Sequence, residues 1–91
     1  MNAKFQPGTV VATPGAIEVL AESGQVAGFF LDMHLQGNWG EVDADDQKAN
    51  DQALIDGSRL LSSYRTLKGV VVWVLTEADR SSTCLLLPED Y

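Results

Sequence analysis

The chain is poor in cations, in cysteine and in histidine. Six Lys and Arg stand against thirteen Asp and Glu in 91 residues, a formal charge of −7. That imbalance opposes direct contact with nucleic acid or an anionic membrane, both of which would repel it, and favours a basic partner or plain solubility. One cysteine, Cys84, excludes an intrachain disulfide and a cysteine-held zinc. Within Cys84-Leu85-Leu86-Leu87 it reads as a small core residue. No run approaches the roughly 20 apolar residues of a membrane span, and no apolar stretch follows Lys4 as it would in a secretory signal. There is no glycine-rich phosphate loop, no H-E-x-x-H and no nucleophile elbow around Ser81, Ser82 or Thr83. The expectation is a cytoplasmic protein without metal or cofactor.

What is present fits one domain over residues 1–91, with a core that buries about 60–65% of the unfolded surface. Val10-Val11-Ala12 is an apolar run that reads as a strand or an extended lead-in. Thr13 is a helix N-cap and Pro14 sits at the first helical position, where its missing N–H costs nothing. Ile17, Leu20 and Ala21 then form a buried stripe, and Gly24 closes the helix. A second helix is expected over 26–36, with Val26, Phe29, Phe30 and Met33 at i, i+3, i+4, i+7. Gly37-Asn38-Trp39-Gly40 breaks it, and the two glycines around Trp39 suggest a tight turn that places the indole against the body of the domain. A third helix runs over 44–56 behind the cap Asp43, with Ala49, Ala53 and Leu54 as a thin apolar stripe and Gly57 as its stop.

After Gly57 the hydrophobic period changes from helical to alternating. Strands are expected over 59–66, 70–77 and 82–87, the first with Leu60, Ser62 and Tyr64 on one face. Trp73 shares a face with Val71 and Leu75. Short connections imply an antiparallel meander, three-stranded or, with a further strand, four-stranded. Helices on one face of that sheet make an α+β domain.

Six of the thirteen carboxylates lie between Glu41 and Asp56: Glu41, Asp43, Asp45, Asp46, Asp51 and Asp56, against one cation, Lys48. Asp43, Asp45 and Asp46 have a local reason, as cap and first-turn residues beside the positive end of the helix dipole. Glu41, Asp51 and Asp56 lack that reason, so the expectation of a basic partner rests less on the Asp cluster than on these three and on Trp39 beside them. Asp43-Ala44-Asp45-Asp46 looks like the start of a calcium loop, but its sixth and twelfth positions are Lys48 and Leu54, which rules out an EF-hand. A solvated helix face accounts for the run. So does an array of charges that occupies a basic nucleic-acid groove. Trp39, beside the run, would anchor such an interface if exposed.

His34 is the only histidine. It reads as a structural hydrogen-bonder at the edge of the second helix. The rival is a small enzyme or ligand-binding site that joins His34 to the Glu77-Asp79-Arg80 turn. There Arg80 would pair with one of the acids or bind an anion. A further alternative is a homo-oligomer, such as a homodimer, paired through the strand at 70–77 or the C-terminal strand across a two-fold axis.

Several segments together resemble a family of small proteobacterial proteins that are often plasmid- or phage-associated. They are Val10-Val11-Ala12-Thr13-Pro14-Gly15-Ala16, His34-Leu35-Gln36-Gly37-Asn38-Trp39-Gly40-Glu41, Asp51-Gln52-Ala53-Leu54-Ile55-Asp56-Gly57-Ser58-Arg59, Thr76-Glu77-Ala78-Asp79-Arg80-Ser81 and Leu85-Leu86-Leu87-Pro88-Glu89-Asp90-Tyr91. The resemblance spans nearly the whole chain. Some members carry labels tying them to type I restriction systems, and the family pattern has Asp where this chain has Asn38. No catalytic residue carries over. The resemblance implies a mobile-element setting, where small acidic proteins act as inhibitors of host defence. The expected function is therefore inhibition of a restriction or CRISPR complex. Trp39, Glu41, Asp43, Asp45, Asp46, Asp51 and Asp56 would meet the basic surface of that nucleic-acid-binding partner.

Overall fold

Thr13 and Pro14 begin the first helix as the sequence predicts. In the computed structural model, which describes residues 3–91, the Thr13 hydroxyl accepts the Ala16 N–H and Gly24 closes the helix in the left-handed conformation. The elements in chain order are β1 (Thr9–Ala12), α1 (Pro14–Ser23), α2 (Ala27–Leu35), α3 (Ala44–Asp56), β2 (Leu60–Arg65), β3 (Val71–Thr76) and β4 (Ser82–Leu86), followed by a 3-10 turn at Pro88–Asp90.

The four strands form one sheet in the order β1-β4-β3-β2. β2, β3 and β4 make the expected antiparallel meander. β1 departs from it by lying parallel to β4, with Val10 opposite Thr83 and Ala12 opposite Leu85. The sheet is therefore mixed, and the purely antiparallel expectation is corrected. β1 and β4 are joined through most of the chain, so no local turn signal announces their pairing.

One face of the sheet carries Leu60, Ser62 and Tyr64, then Val72, Val74 and Thr76, then Thr83 and Leu85, all buried. α1 and α2 press Ala16, Leu20 and Phe30 onto Tyr64, Val74 and Leu85. A second cluster joins Trp39, Ala53 and Leu60, with Phe5, Val42 and Leu54 packed against it. Each large apolar side chain so buried contributes about 1.5–3 kcal/mol. The opposite face is less covered. Trp73, half-buried there, meets the Tyr91 ring edge-on at 5.9 Å.

All three helices bury a different stripe from the expected one. In α2 the inward residues are Phe30 and His34, with Ala27 and Met33 beside them. Val26 is the N-cap and is 71% exposed, and Phe29 is 52% exposed. In α3 the buried residues are Asn50 and Ala53, while Ala49 faces solvent. In α1 Ile17 is exposed and Ala16 takes the inner position with Leu20. In α2 and α3 a polar residue holds a core position because the sheet offers it hydrogen-bond partners.

The two edges of the sheet are treated differently. Outside β2, the Ser63 N–H donates to the Trp39 carbonyl at 3.0 Å and the Ser63 carbonyl accepts from the Glu41 N–H at 2.6 Å. Gly40 sits between them with φ +76° against the Ser63 carbonyl, a position where a side chain would collide. One step along, the Asn50 amide accepts the Leu61 N–H at 3.1 Å and donates to the Leu61 carbonyl at 2.8 Å. The β2 edge is thus closed by a loop and by a side chain that imitates a strand. Outside β1 no strand lies among the described residues.

Candidate functional site

α3 projects its acids from the side of the domain that holds β2. Asp43 accepts the Asp46 N–H at 2.8 Å and caps the helix, and Asp45 and Asp46 occupy the first turn. All six carboxylates between Glu41 and Asp56 are exposed. Among the described residues, Asp45 and Asp46 accept no side-chain or backbone hydrogen bond through their carboxylates, so their charge is free to face a partner.

The three acids without a helix-terminal reason each have a local partner. Glu41 forms an ion pair with Arg65 at 3.2 Å. Asp51 accepts the Trp39 indole N–H at 3.0 Å. Asp56 accepts the Ser58 N–H at 2.9 Å and the Ser58 hydroxyl at 2.7 Å, and the hydroxyl bond first, then the amide, holds its carboxyl below the usual carboxylate range. These intramolecular roles answer the excess that the sequence left without an explanation. Trp39 is 4% exposed, within the second core cluster. The indole is packed against the body of the domain as the glycines around it suggest, Asp51 satisfies its N–H, and the alternative of an exposed anchor is corrected. Asn38 accepts the Gly40 N–H at 3.3 Å through its side-chain oxygen, a turn-forming role that an aspartate fills equally well.

His34 is wholly buried. Its Nδ1 lies 2.5 Å from the Ser62 hydroxyl and its Nε2 2.9 Å from the Thr76 hydroxyl. Thr76 in turn lies 2.7 Å from the Thr83 hydroxyl, which donates to the Pro7 carbonyl at 2.8 Å. A carbonyl can only accept, so the direction of every hydrogen follows. Thr83 donates to Pro7, Thr76 donates to Thr83, His34 donates from Nε2 to Thr76, and Ser62 donates to Nδ1. The bonding pattern assigns the neutral Nε2–H tautomer. Burial first, and the positive Arg80 second, push the imidazole down to about 4. Phe5 and Trp39 wall the ring edge-on at 5.3 and 5.7 Å.

The Glu77-Asp79-Arg80 turn does not join His34 as a reactive group. Arg80, at φ +61°, donates to the carbonyls of Ala53, Ser58, Glu77 and Ala78 at 2.6–3.2 Å. It clamps the last turn of α3 to the β3–β4 hairpin and complements the negative end of the helix dipole. The expected pairing of Arg80 with Glu77 or Asp79 is absent, because the carbonyls that converge on the guanidinium use its donors. Asp79 accepts the Ser81 N–H at 2.9 Å. Both nitrogens of His34 are engaged in the interior, so this constellation offers no free base. Among the described residues no three His, Cys, Asp or Glu side chains gather as metal ligands. A shallow groove of about 410 Å³ is lined by Gly24, Gln25, Val26, Phe29 and Leu67, none of them titratable.

No family model matches the chain, and neither a curated protein nor a solved structure is detectably similar to it. No helix among the described residues is long and apolar enough to cross a membrane.

Proposed function

We propose that the chain is a small acidic, non-enzymatic inhibitor of a nucleic-acid-handling host-defence complex, of the anti-restriction or anti-CRISPR type. It acts by laying the N-terminal half of α3 over a basic surface that otherwise holds nucleic acid. The observation that carries this reading is the exposed acidic face of a capped helix, on which Asp45 and Asp46 have no partner among the described residues. The resemblance to mobile-element proteins supplies the setting. Electrostatic docking of this kind gives fast association and a steep loss of affinity in salt. Asp51, Asp56 and Glu41 add charge around the contact, while Trp39 supports the helix from below through Asp51.

Changing Asp43, Asp45 and Asp46 together to Asn is the test, since Asn caps a helix about as well as Asp. Loss of the charges is expected to slow association with a restriction or CRISPR effector by about tenfold or more at low salt, and to flatten the salt dependence. Unchanged association and unchanged inhibition would remove the acidic-docking mechanism.

A further inference from the structure

The geometry points to the bare edge of β1 as a surface on which a second copy of this chain pairs, antiparallel and about a two-fold axis through Val11. Thr9 donates its N–H to the Ser81 carbonyl and Thr13 donates to the Leu85 carbonyl. With Thr9 opposite Ser82 and Val11 opposite Cys84, residues 9, 11 and 13 bond inward to β4. Val10 and Ala12 therefore turn their N–H and C=O groups outward, where no strand of the described residues receives them.

Edge strands are ordinarily shielded by charge, proline, a bulge or a covering segment. The β2 edge of this sheet is shielded twice, by the loop at Trp39–Glu41 and by Asn50. Among the described residues the β1 edge has none of these devices, and its one protection is its length of four residues. Residues 6–14 contain no charge, no proline falls within the strand, and Val10 and Val11 are 42% and 48% exposed. The sequence expectation placed a homodimer on the strand at 70–77 or on the C-terminal strand. Those are β3 and β4, paired on both sides and closed to a partner.

A second copy fits the edge because an antiparallel pairing centred on Val11 uses every outward group of the strand. Setting Val11 against Val11 of the other copy places Val10 against Ala12 and Ala12 against Val10. Each of those two pairs exchanges both backbone hydrogen bonds, so all the outward groups of both copies are satisfied. The two Val11 side chains meet directly, as a non-hydrogen-bonded pair on the more open face of the sheet. Charge permits the approach despite the −7 on each chain. The sheet order puts α3, which packs on β2, at the opposite edge, so pairing through β1 keeps the two acidic helices at the far ends of one eight-stranded sheet. So short a contact lies below the roughly 1,200 Å² of stable interfaces, and the dimer is a reversible one.

The test uses light scattering together with cross-linking. Between about 10 μM and about 1 mM, concentrations suited to a weak contact, the mass should climb from that of one chain toward two. Val10→Pro removes only the outward N–H, and Val11→Lys sets like charges face to face. Each should return the mass to one chain while the circular dichroism stays unchanged. In a Cys84→Ala background, Val11→Cys should form an interchain disulfide on mild oxidation. Val10→Cys should not, since its counterpart lies about two residues out of register, beyond disulfide reach. A single-chain mass at every concentration overturns the proposal, and equal cross-linking at both positions overturns the register. A chain that stays monomeric but takes up a valine-rich extended peptide on this edge would place a foreign strand there instead. None of these readouts depends on inhibition of any complex.

Discussion

His34 shows how one side chain can tie acid sensitivity to the core. In the unfolded chain its pKa is near 6.5, and in the folded chain it is about 4. Between those values the unfolded state binds more protons, so stability must rise with pH across that window. The contribution is complete above pH 6.5 and is lost as pH falls toward 4. The shift corresponds to about 3 kcal/mol. Urea unfolding between these pH values should show that loss, and His34→Gln should flatten the slope even if it lowers stability at neutral pH. The same slope in both proteins would show that another group titrates there. Asp56, Asp79 and Asp90 are held below the usual carboxylate range by their hydrogen bonds, so their contributions disappear at lower pH than that of His34. The sequence identified His34 as structural but placed it at the edge of α2. Its depth was not legible, because Ser62, Thr76 and Thr83 become its partners only when three strands are side by side.

Among the elements, α3 and β2 depend on each other through Asn50. Its amide both accepts from and donates to Leu61, a pattern that no carboxylate can copy. Asn50→Asp would face the Leu61 carbonyl with a second acceptor and should cost about 2 kcal/mol. Hydrogen exchange at the Leu61 amide should accelerate more than exchange at the inward-facing amides of β2. Equal protection in both proteins would show that the edge is closed by other means. The helix caps, the meander and the Leu60-Ser62-Tyr64 face were all readable from local chemistry. The inner stripes of α2 and α3 were not, since a search for apolar periodicity passes over His34 and Asn50 and settles one position away. Trp39 was legible in part: the glycines around it point the indole at the body of the domain, where it lies, while the acids beside it suggested an interface, and Asp51 is there instead to complete its burial.

For the whole molecule, the excess of thirteen acids over six bases acts on every conformation. Compaction brings like charges together, so salt should stabilise the fold by on the order of 1 kcal/mol between about 20 mM and about 500 mM NaCl. The same salt should weaken docking on a basic partner. A urea midpoint that fell with salt would mean that ion pairs such as Glu41–Arg65 outweigh the general repulsion. The charge balance was plain in the sequence, and the parallel placement of β1 was not, because it joins the two ends of the chain. That closure gives the interior row of hydroxyls and imidazole a fixed sense. Pro7, just ahead of β1, supplies an end that can receive a hydrogen but never return one. The row is therefore a latch rather than a conduit: no proton can travel along it and leave the hydrogens reversed while the segment before β1 remains seated. Whatever lifts that segment releases the tautomer of a histidine on the far side of two strands.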